Sequence, residues 1–307
     1  MKNILFIIAA CYTLALVSCR KEPFTEFPDY DKNWLAMEDN PNDPTIHANF
    51  QFYKETGIPV FVNDTIGTQK RVDVFGKTYT HYEILSLSYS LGGIPSGPPP
   101  AVQSFTYCNK ADVPAALTFL RNEIMPIIGK IHVPSILLVE NMNTNAFGTY
   151  AYKGFNTVAI AQISKISTMS QATKVTYKAA ILRAILTNAV LDSKYADILD
   201  KFYGVSRKFV PTRDAYGLST FYLTSTYVTG LPSGTPLTLQ AIGFLGADTR
   251  ISNSSPISTW LDVSMYIEAA MANTDAEFKQ KYTAYPNILI KYAYIRQILT
   301  GIGIKQS

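Results

Sequence analysis

The clearest pattern in the chain is at residues 177–190, YKAAILRAILTNAV, which are rich in Ala, Ile and Leu, lack Gly and Pro, and carry Lys178 and Arg183 as their only charges. Apolar residues crowded on a stretch free of breakers predict a buried helix. Asp112 precedes VPAALTFLRNEIMPIIGK, with Pro at the second helical position and apolar residues three and four apart, which predicts an amphipathic helix capped by Asp112. PSILLVEN and NTVAIAQIS read as buried strands joined by the turn NMNTNAFGTYAYKGF. Earlier, HANFQFYKETGIPVFVND predicts a helix, a stop at Gly57 and a strand from Ile58 to Val62. A strand pair is expected between Lys70 and Tyr89, and GGIPSGPPP, residues 92–100, is expected as a loop. From Ala196 the pattern is mostly helical with long loops, one of them TGLPSGTP, and with helices near 257–272 and 287–299. The expected fold is α+β: a small mixed sheet with helices over about 46–170, then a helical half over 171–307.

The first residues, MKNILFIIAACYTLALVSC, place Lys2 before an apolar run that ends in Leu16-Val17-Ser18-Cys19. This layout is that of a signal peptide, and its end resembles a bacterial lipoprotein lipobox, in which the cysteine is acylated. Residues 1–18 are therefore expected to be removed, Cys19 to carry the lipid, and residues 19–45 to tether the domain at 46–307. Arg20, Lys21 and Glu22 resemble the short signal that sends lipoproteins to the outer face of the outer membrane. The whole chain, 47% hydrophobic and 16% charged with a mean hydropathy of +0.06, has the balance of a folded domain. Loss of Lys2 leaves 26 basic against 23 acidic residues, or +3, which gives no case for a nucleic-acid partner. With Cys11 and Cys19 in the leader, Cys108 stands alone, which excludes an intramolecular disulfide in the mature chain.

Candidate chemistry is sparse. The three histidines are His47, His81 and His132, and none begins a His-Glu-x-x-His pattern. His81-Tyr82-Glu83 has the spacing of a nucleobase deaminase's ligand and acid, but the Pro-Cys-x-x-Cys partner is missing. Cys108 and His132 have no thiol-protease motif around them, and Gly-x-Ser-x-Gly and phosphate-loop patterns do not occur.

The order of parts, a lipobox, FYKETGIPVFVND, ALTFLRNEI, PSILLVEN, YKGFNTVAIAQIS and then a helix, resembles the substrate-import-associated zinc metallohydrolase lipoproteins from about residue 34 to the end. The resemblance implies a zincin-like metallopeptidase fold with zinc held by His-Glu-x-x-His-x-x-His on the helix after the GFNT strand. Positions i, i+4 and i+7 lie within about 60° around a helix, so three imidazoles there converge on one ion. In this chain those motif positions are Ala179, Ala180, Arg183 and Leu186, and no His, Asp, Glu or Cys occurs between Ala172 and Val190. A guanidinium has donors only and repels a divalent cation. The family's later acidic pair falls on Leu261 and Asp262.

Three functions follow as expectations. The first is a catalytically inactive relative without zinc or another cofactor. It would be membrane-anchored through Cys19 on the cell exterior and serve a TonB-dependent outer-membrane importer and its surface binding lipoprotein. The second is an active metallohydrolase with dispersed ligands such as His81, His132 and Asp262. The third is a glycan-binding lipoprotein, suggested by 20 Tyr and 16 Phe together with the expected surface display, since aromatic faces stack on sugars. For the first, a metal-free cleft lined by Arg183, Asp262 and Tyr266 is expected, with Arg183 paired to Asp262.

Overall fold

The computed structural model describes residues 32–85, 87, 104–129, 131–143, 150–248 and 253–304. A compact unit runs from Leu35 onward, so it takes in the last part of the segment expected as tether. The lipobox, Cys19 and the loop at 92–100 lie outside the described residues.

Helix α1 (Pro44–Thr56) starts where Asp43 accepts from the Thr45 and Ile46 amides. It stops at Gly57, whose φ of 73° opens the turn into β1 (Val60–Phe61). Strands β2 (Thr65–Val72) and β3 (Thr78–Ile84) form an antiparallel two-stranded ribbon, which begins earlier than the alternation alone placed it. Its tip leaves Val74 and Phe75 more than nine-tenths exposed.

After β4 (Ser104–Tyr107), α2 (Val113–Phe119) and α3 (Met125–Ile128) are joined through a π-helical turn, Leu120–Ile124. The wider turn lies just before Pro126, which lacks an amide donor and crowds the preceding turn of a regular helix. Asp112 does not cap α2, contrary to expectation: its side chain makes no cap bond, because a 3-10 turn at Lys110–Asp112 already leads the chain in. The donor at the start of that turn, the Ala111 amide, goes to Asn109 instead.

Strand β5 (Ile136–Asn143) is the sheet's centre. It pairs in parallel with β1 and with β7 (Val158–Ile160), and antiparallel with β4, while β6 (Ala151–Lys153) runs antiparallel to β7. The stretch read as a turn between two strands thus carries a third. Side chains alternate along β5: Ile136 and Leu138 enter the main core, and Leu137 and Val139 enter a second layer with Leu85, Ala159 and Tyr152. The sheet is therefore covered on both faces.

Helix α4 (Gln171–Val190) follows, capped by Ser170 and anchored to the sheet where the Tyr177 hydroxyl donates to the Ala161 carbonyl at 2.7 Å. The helical half continues with α5 (Ala196–Arg207), α6 (Thr259–Ala272), α7 (Asp275–Lys281) and α8 (Pro286–Gly301). A long irregular segment between α5 and α6 builds its own small core around Phe209, Tyr216, Val228, Ile242 and Phe244. The architecture is α+β, with every described strand before residue 161 and long helices after it. Among the described residues no helix is long and apolar enough to cross a membrane.

Candidate functional site

Helix α4 packs lengthwise on α6, and this seam contains the positions singled out from sequence. Ala179, Ala180 and Leu186 are buried in the core, and Arg183 is 8% exposed. The Arg183 guanidinium donates to the Glu268 carboxylate on α6. One turn along, Thr187 Oγ1 donates to the Arg183 carbonyl at 2.8 Å and lies 3.3 Å from Ser264 Oγ. Burial lowers the Arg183 pKa and raises that of Glu268, each against the attraction of its partner.

The expected Arg183–Asp262 pair is not formed. The Arg183–Glu268 and Thr187–Ser264 contacts set an antiparallel register between the helices. Extended, that register puts Asp262 level with Ala189, about 9 Å along the axis from Arg183 at 1.5 Å per residue. Nor do Arg183, Asp262 and Tyr266 line an open cleft: they are 8%, 0% and 0% exposed. Asp262 faces a different cation. Its Oδ2 accepts from Lys291 Nζ on α8 at 2.5 Å and from the Tyr216 hydroxyl at 2.9 Å.

Lys291 is itself fully buried and donates to Ser206 Oγ on α5 at 3.1 Å. Its ammonium lies 4.2 Å from the Phe202 ring centroid, 4.6 Å from Phe244 and 5.2 Å from Tyr266, so three aromatic rings share the cation with one carboxylate. Gly243 makes room for it. A Cβ built there would lie 3.2 Å from Lys291 Cδ, and the glycine's φ of 93° is one that residues with a side chain rarely adopt. The Gly243 carbonyl in turn accepts from the Tyr266 hydroxyl at 2.8 Å. Burial raises Asp262 above the usual carboxylate range and lowers Lys291 below the usual amine range, so their mutual attraction works against the loss of water. The cluster holds together α5, α6, α8 and the irregular segment.

The other candidates lie apart. His81 Nε2 is 3.1 Å from Glu83 Oε2 on the exposed ribbon, and His47 Nδ1 is 2.8 Å from Asp39 Oδ1. His132 borders a shallow groove with Glu55 and Met125. His81, His132 and Asp262 are thus not brought together as a ligand set, and among the described residues no group of three His, Cys, Asp or Glu is placed to hold a metal ion. Cys108 is buried and its thiol is pushed up to about 11 by burial, which leaves little thiolate for nucleophilic work.

Open space lies along the N-terminal half of α4 and at the C-terminal end of α6. Two grooves, of about 520 Å³ and 300 Å³, share Val175 and Lys178. The Lys178–Glu123 ion pair, at 3.0 Å, stands where they meet. Neither groove reaches Arg183 or Asp262, and the Thr274 hydroxyl that donates to Glu277 in the second is engaged in the capping box of α7. The chain matches no family model, no curated protein and no solved structure.

The sequence reading missed Lys291, Glu268, Tyr216 and Ser206. A signal existed for Lys291, which lies on the same helix face as the apolar residues Ile288, Tyr292 and Ile295. A lone cation on such a stripe calls for a buried acid.

Proposed function

We propose that the protein is a non-catalytic, lipid-anchored binding or accessory component of an outer-membrane nutrient importer, built on a zincin-like scaffold that has lost its metal site. The observation that carries this reading is the seam between α4 and α6. Where the resembled family places imidazoles and a glutamate, this chain has Ala179, Ala180, Arg183 and Leu186, all packed in the core. The nearby acid, Asp262, is committed to Lys291 and Tyr216. An ion held by such residues would find one guanidinium and no lone pairs.

Anchoring through Cys19 and exposure at the cell exterior follow from the lipobox and the Arg20-Lys21-Glu22 stretch. A TonB-dependent importer and its surface binding lipoprotein are the proposed partners. The test is purification of the lipidated protein from membranes with two readouts: metal content, and co-purification with an importer. No stoichiometric metal together with importer recovery supports the reading, and one tightly held transition-metal ion per chain refutes it.

A further inference from the structure

The irregular segment between α5 and α6 has an unusual composition. From Ala215 to Ala247 there is no charged residue and no histidine, while Ser, Thr and aromatic residues abound. Its inner side packs on its own apolar core. Its outer side presents Phe221, 79% exposed, beside the half-buried Tyr222 and Tyr227. The Phe221 and Tyr222 centroids are 5.4 Å apart and those of Tyr222 and Tyr227 5.0 Å, each pair edge to face. The Arg213 guanidinium lies 4.0 Å from the Tyr222 centroid and 4.9 Å from that of Tyr227. Thr224, Ser225 and Thr226 are exposed beside them.

This group is held in place before any ligand arrives. Ser219 is bridged to Ser254, the Thr220 amide donates to the Asn253 carbonyl at 2.7 Å, and the Thr229 amide donates to the Phe209 carbonyl at 2.9 Å. With the backbone held this way, a ligand on the Phe221 ring would have little main-chain ordering left to impose. The chemistry around it narrows the ligand. One exposed arginine, with Asp214 next in sequence, makes no anion site, and no carboxylate cluster invites a cation. What remains is an apolar ring face, a planar fork of donors and a row of hydroxyls. A pyranose ring has the matching surface, C–H groups on a face and hydroxyls on its rim.

We propose that Phe221, Tyr222, Tyr227 and Arg213 form a binding platform for neutral polysaccharide. Phe221 supplies the stacking face, and Arg213 with the neighbouring hydroxyls supplies the hydrogen bonds. The inference rests on the exterior binding role only for access to the polymer, and its test needs neither metal nor importer.

The experiment is native affinity electrophoresis of the full-length protein in detergent, in gels containing amylopectin, xyloglucan or galactomannan, with polygalacturonate as the anionic control. The wild type is expected to be retarded by at least one neutral polymer and not by polygalacturonate. Phe221→Ala should weaken that interaction at least about tenfold, equivalent to about 1.4 kcal/mol, with an unchanged thermal melt. Arg213→Gln, also at an exposed position, should weaken it as well. No retardation by any of the three neutral polymers, retardation by polygalacturonate alone, or full retention by Phe221→Ala overturns the proposal. A protein that ignores all the polymers but loses a protein partner on Phe221→Ala overturns it too. A protein that binds polysaccharide yet carries stoichiometric zinc refutes only the non-catalytic reading.

Discussion

Replacing Lys291 by Met removes the cation from a sealed site while keeping most of its volume. Asp262 then retains the Tyr216 hydroxyl as its one hydrogen-bond donor. A buried ion pair broken on one side costs about 3–5 kcal/mol. For a domain of this size about 2–4 °C of Tm accompanies each kcal/mol, so Lys291→Met should melt roughly 6–20 °C lower. Asp262→Leu, which strands the ammonium among three aromatic rings, should fall in the same range. The double variant Asp262→Leu/Lys291→Met removes both charges and should be more stable than either single variant, because no buried charge is left unpaired, although the Tyr216 hydroxyl loses its acceptor. The pH dependence has a fixed sign. Burial already raises the Asp262 pKa, and losing Lys291 takes away its main opposing influence. A folded pKa above the unfolded value gives stability that is present below about pH 4 and lost as pH rises through the folded pKa. The defect of Lys291→Met should therefore be small near pH 4 and larger at pH 7. Urea denaturation of the four proteins at both pH values measures all of this. If the two single costs simply add in the double variant, within about 0.5 kcal/mol, the pair is not coupled and the reasoning fails.

Other expectations follow from the same seam. Leu186→Ala should cost about 2–5 kcal/mol in urea denaturation, whereas a cleft-lining leucine would cost little. Gly243→Ala should destabilise by about 1–3 kcal/mol, because the added methyl meets Lys291 and Ser206 at a positive φ; an unchanged midpoint would mean that the close approach is not real. Cys108, with its thiol pushed up to about 11, should resist thiol reagents at pH 8 in the folded protein and react once urea unfolds it, read by mass spectrometry of its peptide.

Much of the fold could be read from residue order, because α4, β5, β7 and α1 each carry a local cause for their structure: a breaker-free apolar run, short continuous apolar strands, a Gly57 stop. The ribbon was placed late because TIGTQKRV buries no complete face, so its alternation carries little hydrophobic signal. Strand β6 was hidden in a Gly- and Asn-bearing stretch, and its pairing depends on β7 alone. Within the candidate site, the burial of Ala179, Ala180 and Leu186 agreed with their composition. The partner of Arg183 did not follow from sequence, because helix register decides between Asp262 and Glu268 and is fixed by packing along the whole seam. Lys291 escaped for a related reason: its apolar stripe calls for a buried acid, but that acid comes from another helix and local sequence does not name it.

The central claim is that the interior between α4, α6 and α8 is occupied by packed side chains and two ion pairs, Arg183–Glu268 and Asp262–Lys291, with no cluster of metal ligands among the described residues. Elemental analysis of the purified full-length protein, with a thermal melt before and after exhaustive chelation, tests it most directly. The account predicts no transition metal at stoichiometric level and one unchanged Tm. One zinc per chain, with a melt that drops on chelation and recovers on adding zinc, would contradict it.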